Sequence, residues 1–309
     1  MIDTKRRFKM SKLVVLDNTC DLFLAYSWGP VSQGVSGHLY ECIEYYQILK
    51  KHMKVGILMC NTELPSEAIR TAVEDKYDFT EQEINELLSN IHFFDSPKVL
   101  YGNNLLLVDG NFRKLREINL LFKNIMLFPC ADKRFESMET VNAFLDKRIY
   151  GESRHTNYIK KILFSRYKKI TDTGSTANLI YNKQGPRYLN DAIYLELENQ
   201  YTGDFLVVTN VATNYESDRI KFVKPPIKEL FKNFGTYIYT PTLKKFDCSP
   251  RFIAECKWYG KSVIYHNLDY WDIDKGLYWR KHDIDTDFES LILKEDDPII
   301  DLIKGIINA

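Results

Sequence analysis

Asp247, Arg251 and Glu255 stand close together in the 309-residue chain, directly after the run Thr236-Tyr237-Ile238-Tyr239. That run reads as a strand. Pro250 then opens a helix through Trp258, because proline's missing donor would be unpaired in a first helical turn anyway. Asp247 thus falls just before a helix start and Glu255 one turn inside it. Ligands of doubly wound sheets bind at the carboxyl ends of the strands, so Tyr239 and both acids would border such a crevice. A carboxylate there can accept the paired hydroxyls of a ribose or hexose, and Arg251 can meet a diphosphate with charge-assisted hydrogen bonds. A purely structural reading stays open, in which Asp247 caps the helix and Glu255 pairs with Lys257 or Lys261 on its surface.

Two further groups of residues suit the same chemistry. Gly34 and Gly37 bracket a turn that runs into a helix after the strand-like residues 13–17, a geometry that brings backbone N–H groups close to an anionic or sugar-like ligand. Arg166, Lys168 and Lys169 follow Ile162-Leu163-Phe164 and could neutralise phosphate. Candidates for a general base are His38 in the glycine turn, Asp109 after Leu105-Leu106-Leu107-Val108, and Asp17 at the end of the first strand. Each has a plain alternative: Asp109-Gly110 is a turn signal, Asp17-Asn18 can cap a loop, and His38 can simply begin its helix.

Strands and helices alternate along the chain, which predicts α/β architecture with parallel sheets. The first half reads as a strand over 13–17, an amphipathic helix over 37–53 and a strand over 54–59. Thr80 with Glu83 resembles a capping box for a helix through Leu88. Further strands are expected at 98–101, 105–108 and 125–128, with a short helix over 141–145. In the second half, 162–164 and 177–181 read as extended, 205–208 as a buried strand, 226–234 as a short helix, then the strand at 236–239, the helix to Trp258 and a strand at 262–265. The polar stretch 151–156 marks a boundary. The expected domains are 1–153 and 154–297, with 298–309 an apolar helix that packs back.

Composition fits a globular protein with sizeable cores, at 45% hydrophobic and 27% charged residues. No apolar run reaches the ~20 residues needed to span a bilayer, and residues 1–9 lack the apolar stretch of a secretory signal, so a cytoplasmic location is expected. The six cysteines are scattered without a C-x-x-C pair, so neither a zinc site nor a disulfide framework is indicated. Net charge is zero, and polyanion binding would have to come from local clusters such as Arg113, Lys114 and Arg116 or Lys133 and Arg134. Each cluster can equally be a solvated face.

Taken together, these residues resemble the nucleotide-binding half of the GT-B glycosyltransferases. Retaining members carry an acid, seven intervening residues and a glutamate ahead of a glycine and a short strand, the layout of Asp247 to Glu255 followed by Gly260 and Val263-Ile264. The resemblance implies two Rossmann-like doubly wound domains facing an interdomain cleft. It implies that Glu255 holds the nucleotide ribose, that Asp247 approaches the donor sugar, and that Arg166 with Lys168 or Lys169 neutralises the leaving phosphates. The glycine turn would face the donor diphosphate. Ser165 stands where the family has glycine and Asp247 where glutamate is commoner, so retention or inversion of configuration stays open.

The activity implied is transfer of a sugar from a nucleoside-diphosphate sugar, expected to be UDP-linked, to a hydroxyl acceptor. No Asp-x-Asp motif stands at a clear strand end (Asp272-Ile273-Asp274 reads as a loop), so no metal and no bound cofactor are expected. Size, a Lys/Ile/Tyr-rich composition and the run Phe222-Val223-Lys224-Pro225-Pro226 are similar to bacteriophage enzymes that glycosylate hydroxymethylated cytosine in DNA. On that reading Arg113, Lys114, Arg116, Lys133 and Arg134 track the phosphates of duplex DNA while the target base is flipped out. A polysaccharide or lipid acceptor is the alternative, with residues 22–28 as an apolar patch beside it. A non-enzymatic nucleotide-responsive binding module is another. An NAD-linked oxidoreductase is disfavoured, because the first turn lacks the third glycine of the dinucleotide fingerprint.

Overall fold

A computed structural model describes residues 13–15, 19–26, 37–60, 66–94, 99–108, 119–127, 162–171, 174–182, 189–225, 227–240, 251–266 and 292–309. Asp17, Gly34, Asp109, Arg113, Lys114, Arg116, Lys133, Arg134 and Asp247 lie outside the described residues, as does the helix expected over 141–145. The chain divides into two compact units. The first comprises Met1–Ser66, Glu81–Glu152 and Glu295–Ala309; the second comprises Glu67–Thr80 and Ser153–Lys294.

Unit 1 is built on β1 (Leu13–Val15), β2 (Leu22–Tyr26), α1 (Gly37–Leu49) and β3 (Val55–Cys60). Helix α2 (Ser66–Lys76) follows but falls almost wholly in unit 2. The first unit resumes with α3 (Glu81–Ser89), β4 (Ile91–Phe94), β5 (Val99–Leu107) and β6 (Asn119–Leu127). All strand pairs are parallel. β1 pairs with the first part of β5 (Leu13 opposite Val99) and β2 with its last part (Phe23 opposite Leu105). β1 and β2 are therefore two segments of one interrupted strand, and six strands fill five positions in the order β4-β3-β2-β5-β6.

Asparagines close the interruption. Asn103 Nδ2 donates to the Cys20 carbonyl at 2.9 Å, and Asn104 Nδ2 to that of Asp21 at 2.7 Å. Asn124 Nδ2 donates to Asn104 Oδ1 at 2.8 Å and reaches the Ile306 carbonyl at 3.3 Å. A buried carbonyl without a donor costs about 1–3 kcal/mol, which is why amides and not apolar groups occupy these places.

Unit 2 carries β7 (Asn178–Tyr181), α4 (Asp191–Gln200), β8 (Phe205–Val208), β9 (Ile220–Val223), β10 (Thr236–Tyr239), α5 (Arg251–Trp258) and β11 (Ser262–Tyr265). Its sheet is wholly parallel, in the order β9-β8-β7-β10-β11. Strand residues alternate between two apolar layers. Leu179, Val208, Tyr237 and Tyr239 pack with Ile253 and Cys256 of α5, whereas Ile180, Phe205, Val207 and Ile238 pack with Tyr194 and Leu197 of α4. Both faces are covered, which explains the unbroken hydrophobic runs.

At the entry to β10 the backbone passes so close to the chain at Ser175 that a Cβ on Gly235 would lie 2.5 Å from the Ser175 carbonyl oxygen. Backbone cannot swing aside as a side chain can. Gly235→Ala should destabilise unit 2 by about 1–3 kcal/mol in urea unfolding, with the nearby Gly203→Ala as a comparison that tests strained φ (86°) without the clash.

Thus the expected α/β class with two Rossmann-like parallel sheets holds, each sheet reversing strand order beside its first position. Several local expectations change. The strand that feeds the glycine turn is β2, not residues 13–17. Leu22, Phe23, Leu24 and Ala25 are fully or almost fully buried in it, so these four supply no surface patch for an acceptor, and Ser27 and Trp28 lie outside the described residues. Helix α1 is not amphipathic: Glu41, Glu44 and Gln47 are buried along with its apolar residues. The strands expected at 98–101 and 105–108 are one strand, β5. Residues 162–164 form only a bridge to Ile292 followed by a 3-10 turn, Phe164–Arg166, and the helix expected over 226–234 shrinks to a 3-10 turn at Leu230–Lys232. The closing helix α6 (Pro298–Asn308) is capped by Asp297, buries Ile299, Ile300 and Ile303, and belongs to unit 1. Among the described residues no helix is long and apolar enough to cross a membrane.

Candidate functional site

Strand order in unit 2 reverses between β7 and β10, the position at whose carboxyl ends open α/β sheets leave a crevice for ligand. β10 delivers Tyr239 to that edge, and α5 begins with Arg251 after it. Tyr239 is buried, edge-on to Tyr265 with ring centroids 6.1 Å apart. On the β7 side Asn182 is buried and donates to the Leu189 carbonyl at 2.8 Å and to the Tyr194 hydroxyl at 2.5 Å, bracing the start of α4. Its Oδ1 is buried with no hydrogen-bond partner.

The best-defined polar group of the unit surrounds Glu255. Its Oε1 accepts from Lys76 Nζ at 2.6 Å, from the Tyr167 hydroxyl at 2.8 Å and from Arg251 Nε at 3.0 Å. Arg251 Nη2 in turn donates to the Tyr167 oxygen at 2.8 Å. Every donor that the described residues give this carboxylate goes to Oε1. Glu255 is 3% exposed and Arg251 7%, so the pair is inside the unit and not on the helix surface. Burial would push the Glu255 carboxyl up. The Lys76 and Arg251 charges, with hydrogen bonds from Lys76 and Tyr167, outweigh it and hold the group below the usual range.

Of the basic residues expected to meet phosphate, Arg166 and Lys168 are turned toward the 67–80 segment. Tyr77 and Tyr167 form an antiparallel bridge, and the Asp78 N–H donates to the Arg166 carbonyl at 2.8 Å. The Arg166 guanidinium lies 4.8 Å from the centre of the Phe79 ring, and Lys168 Nζ donates to the Glu74 carbonyl. Lys169 is exposed. Lys76 and Tyr167 were not legible as site residues, because no sequence pattern links Lys76 to a glutamate 179 positions away. Arg251 and Glu255 were legible from their place on a helix after a strand end and from the spacing of Asp247 to Glu255.

In unit 1 the corresponding reversal lies between β2 and β5, and α1 begins beside it with Gly37 and His38. His38 Nδ1 is 3.3 Å from Glu41 Oε2, the carboxylate 5% exposed and the imidazole 24%. A buried acid behind a part-exposed imidazole can fix its orientation for proton transfer. Glu41 escaped sequence reading because a glutamate in a helix is ordinarily on the solvent face.

A third titratable group follows β11. His266 is 2% exposed, its Nδ1 is 3.1 Å from the Tyr201 hydroxyl, and its Nε2 is 3.5 Å from Glu196 Oε1 on α4. Burial depresses its pKa, partly offset by Glu196. A histidine held below its unfolded value near ~6.5 stabilises the fold in its neutral form, so that contribution is present above pH ~6.5 and is lost as pH falls below it. His266→Gln should therefore flatten the fall in unit 2 stability between about pH 7 and 5, read from urea midpoints across that window.

No family model matches the chain, and no curated protein matches it. Among solved structures, a crystal structure of Acinetobacter baumannii MurG is similar over 93% of this chain and 89% of that one, with a TM-score of 0.31 and 8% identity. At that TM-score the likeness carries no argument.

Proposed function

We propose that the chain is a glycosyltransferase that takes a sugar from a nucleoside-diphosphate donor, a UDP-sugar by preference, and passes it to a hydroxyl acceptor. The observation that carries this reading is the state of Glu255. It is a buried carboxylate on the helix that follows β10 at the strand-order reversal, held below the usual range by Lys76 and Arg251, with all its described donors on Oε1; in this reading Oε2 accepts the paired hydroxyls of a ribose. Arg251, on the same helix, gives its Nε to Glu255 and its Nη2 to Tyr167, and Arg166, Lys168 and Lys169 are the candidate phosphate partners. A leaving diphosphate needs such positive charge, or free N–H groups, to stabilise it. Asp247 keeps its proposed role toward the donor sugar.

In unit 1 we assign acceptor deprotonation to His38, supported by Glu41. His38→Ala should lower transfer by about 10²–10⁴-fold while donor affinity, measured separately by calorimetry, stays unchanged. Equal loss of both would make His38 a donor-positioning group instead.

The test of the reading is incubation with UDP-, GDP-, ADP- and dTDP-linked sugars, following release of the nucleoside diphosphate by chromatography. A transferase leaks some donor to water, so slow release from at least one donor is expected, and it should vanish in Glu255→Gln. No release from any donor overturns the transferase and leaves at most a nucleotide-binding module. For the acceptor, hydroxymethylcytosine DNA is tried first, the mass of its nucleosides being measured after incubation with enzyme and donor. An unchanged mass with every donor, or binding to duplex DNA that does not weaken with salt, rules that acceptor out.

A further inference from the structure

The segment Glu67–Thr80 lies in sequence between β3 and α3 of unit 1, yet it belongs to unit 2. Its anchoring is apolar and polar together. Ile69 and Val73, one turn apart on α2, are buried, and Tyr77 is 1% exposed, with its ring edge-on to Tyr167 at 5.2 Å. Asp75 Oδ1 accepts from the Glu229 N–H at 3.1 Å. At the end of this helix Lys76 reaches Glu255, its side chain 15% exposed and its ammonium 5.4 Å from the centre of the Tyr167 ring. A Lys ordered this way has lost much of the freedom of its four-carbon stem, a cost that α2 and the Tyr77 bridge meet through their own packing.

Glu255 could pair with Arg251 alone through the i,i+4 spacing of α5. The addition of Lys76 and Tyr167 puts three donors on a single oxygen and sets the rotation of the carboxylate. We propose that Lys76, contributed by a segment from the first half of the chain, is the positioning residue for Glu255, fixing Oε1 so that Oε2 presents itself to the hydroxyls of a bound nucleotide. This rests on the nucleotide reading above. A carboxylate accepts from a ribose only while ionised, and an ammonium at 2.6 Å favours that state. Lys76 therefore sets both the direction of Oε2 and the pH range in which it works. The boundary of the ligand site is then not the boundary between the halves of the sequence: a nucleotide-binding unit taken from residue 153 onward lacks one of its parts.

The experiment titrates affinity for UDP, with GDP, ADP and dTDP as further probes, by calorimetry from pH 4.5 to 8.5 on the full chain and three variants. Lys76→Gln keeps a hydrogen-bond donor and removes the charge, Lys76→Arg keeps the charge, and Glu255→Gln removes the acceptor's ionisation. Wild type should bind with nearly constant affinity down to about pH 5. Lys76→Gln should develop an acid limb displaced upward from that of the wild type, so that its affinity at pH 5 is several-fold below its affinity at pH 8, and Lys76→Arg should restore the wild-type profile. A merely structural lysine would lower affinity equally at all pH values. If Lys76→Gln unfolds, the side-chain carboxyl carbon of Glu255 in the wild type, assigned by its loss in Glu255→Gln, should titrate below the ordinary glutamate range.

Parallel profiles for Lys76→Gln and wild type, or a Glu255 carboxyl that titrates in the ordinary range, overturn the inference while the nucleotide reading stands. Failure of the wild type to bind any of the four probes, or full affinity in Glu255→Gln, overturns the reading and the inference falls with it.

Discussion

Glu255→Leu should cost unit 2 about 3–5 kcal/mol and abolish nucleotide binding, since it removes the carboxylate that the Lys76 ammonium and the Arg251 guanidinium both face. The size of the effect comes from what stays behind. Lys76 Nζ and Arg251 Nε lie 2.6 Å and 3.0 Å from the carboxylate, and Arg251 is 7% exposed, so water cannot replace the lost partner without opening the unit. Urea unfolding at pH 7 followed by near-ultraviolet circular dichroism checks the stability, and a loss under about 1 kcal/mol would mean that the network is solvated. Glu255→Gln keeps the volume and should lose less.

The same carboxylate gives the fold an acid limit with a defined sign. Its folded pKa is depressed, so its contribution is complete above the unfolded value near ~4.3 and drains away as pH falls through the folded one. His266 acts in a separate, higher window, because burial favours its neutral form. Unit 2 should accordingly lose stability in two steps on acidification, the first removed by His266→Gln and the second by Glu255→Gln.

Asn104→Leu is the second large effect, at about 2–4 kcal/mol of unit 1 stability. Asn104 is 4% exposed and works at both ends: Nδ2 satisfies the Asp21 carbonyl and Oδ1 accepts from Asn124. Leucine of similar volume leaves a carbonyl without a donor where β1 gives way to β2, and leaves Asn124 with only the longer contact to Ile306 of α6. Denaturant midpoints of Asn104→Leu and Asn124→Leu, alone and together, test the coupling. The double variant should cost clearly less than the sum of the singles, and strict additivity would show that the two amides act independently.

These same asparagines explain what the sequence withheld. Gly102-Asn103-Asn104 carries turn chemistry, and its local reading splits β5 in two. In the fold the asparagines face backbone carbonyls of the interrupted neighbouring strand, a partner that only tertiary pairing supplies. Strands β7, β8 and β10 were legible because their mostly apolar residues are largely buried on both faces, and β11 through its run Val263-Ile264-Tyr265. Helix α5 was legible through its start. Helix α1 misled in the other direction, since Glu41, Glu44 and Gln47 mimic a solvent face on a helix that is buried all round. Helix α2 was missed because only Ile69 and Val73 are apolar and buried in a highly charged segment. With α2 missed, the partner of Glu255 was missed too, although Arg251 and Glu255 themselves had been singled out.

The nucleotide claim is tested most directly by a crystal of the full chain soaked with the donor that shows turnover. The nucleotide is expected at the carboxyl ends of β7 and β10, its ribose hydroxyls within hydrogen-bond distance of Glu255 Oε2 and Lys76 still on Oε1. A nucleotide bound elsewhere, or a Glu255 that makes no contact with it, would overturn the assignment of Glu255 to nucleotide binding.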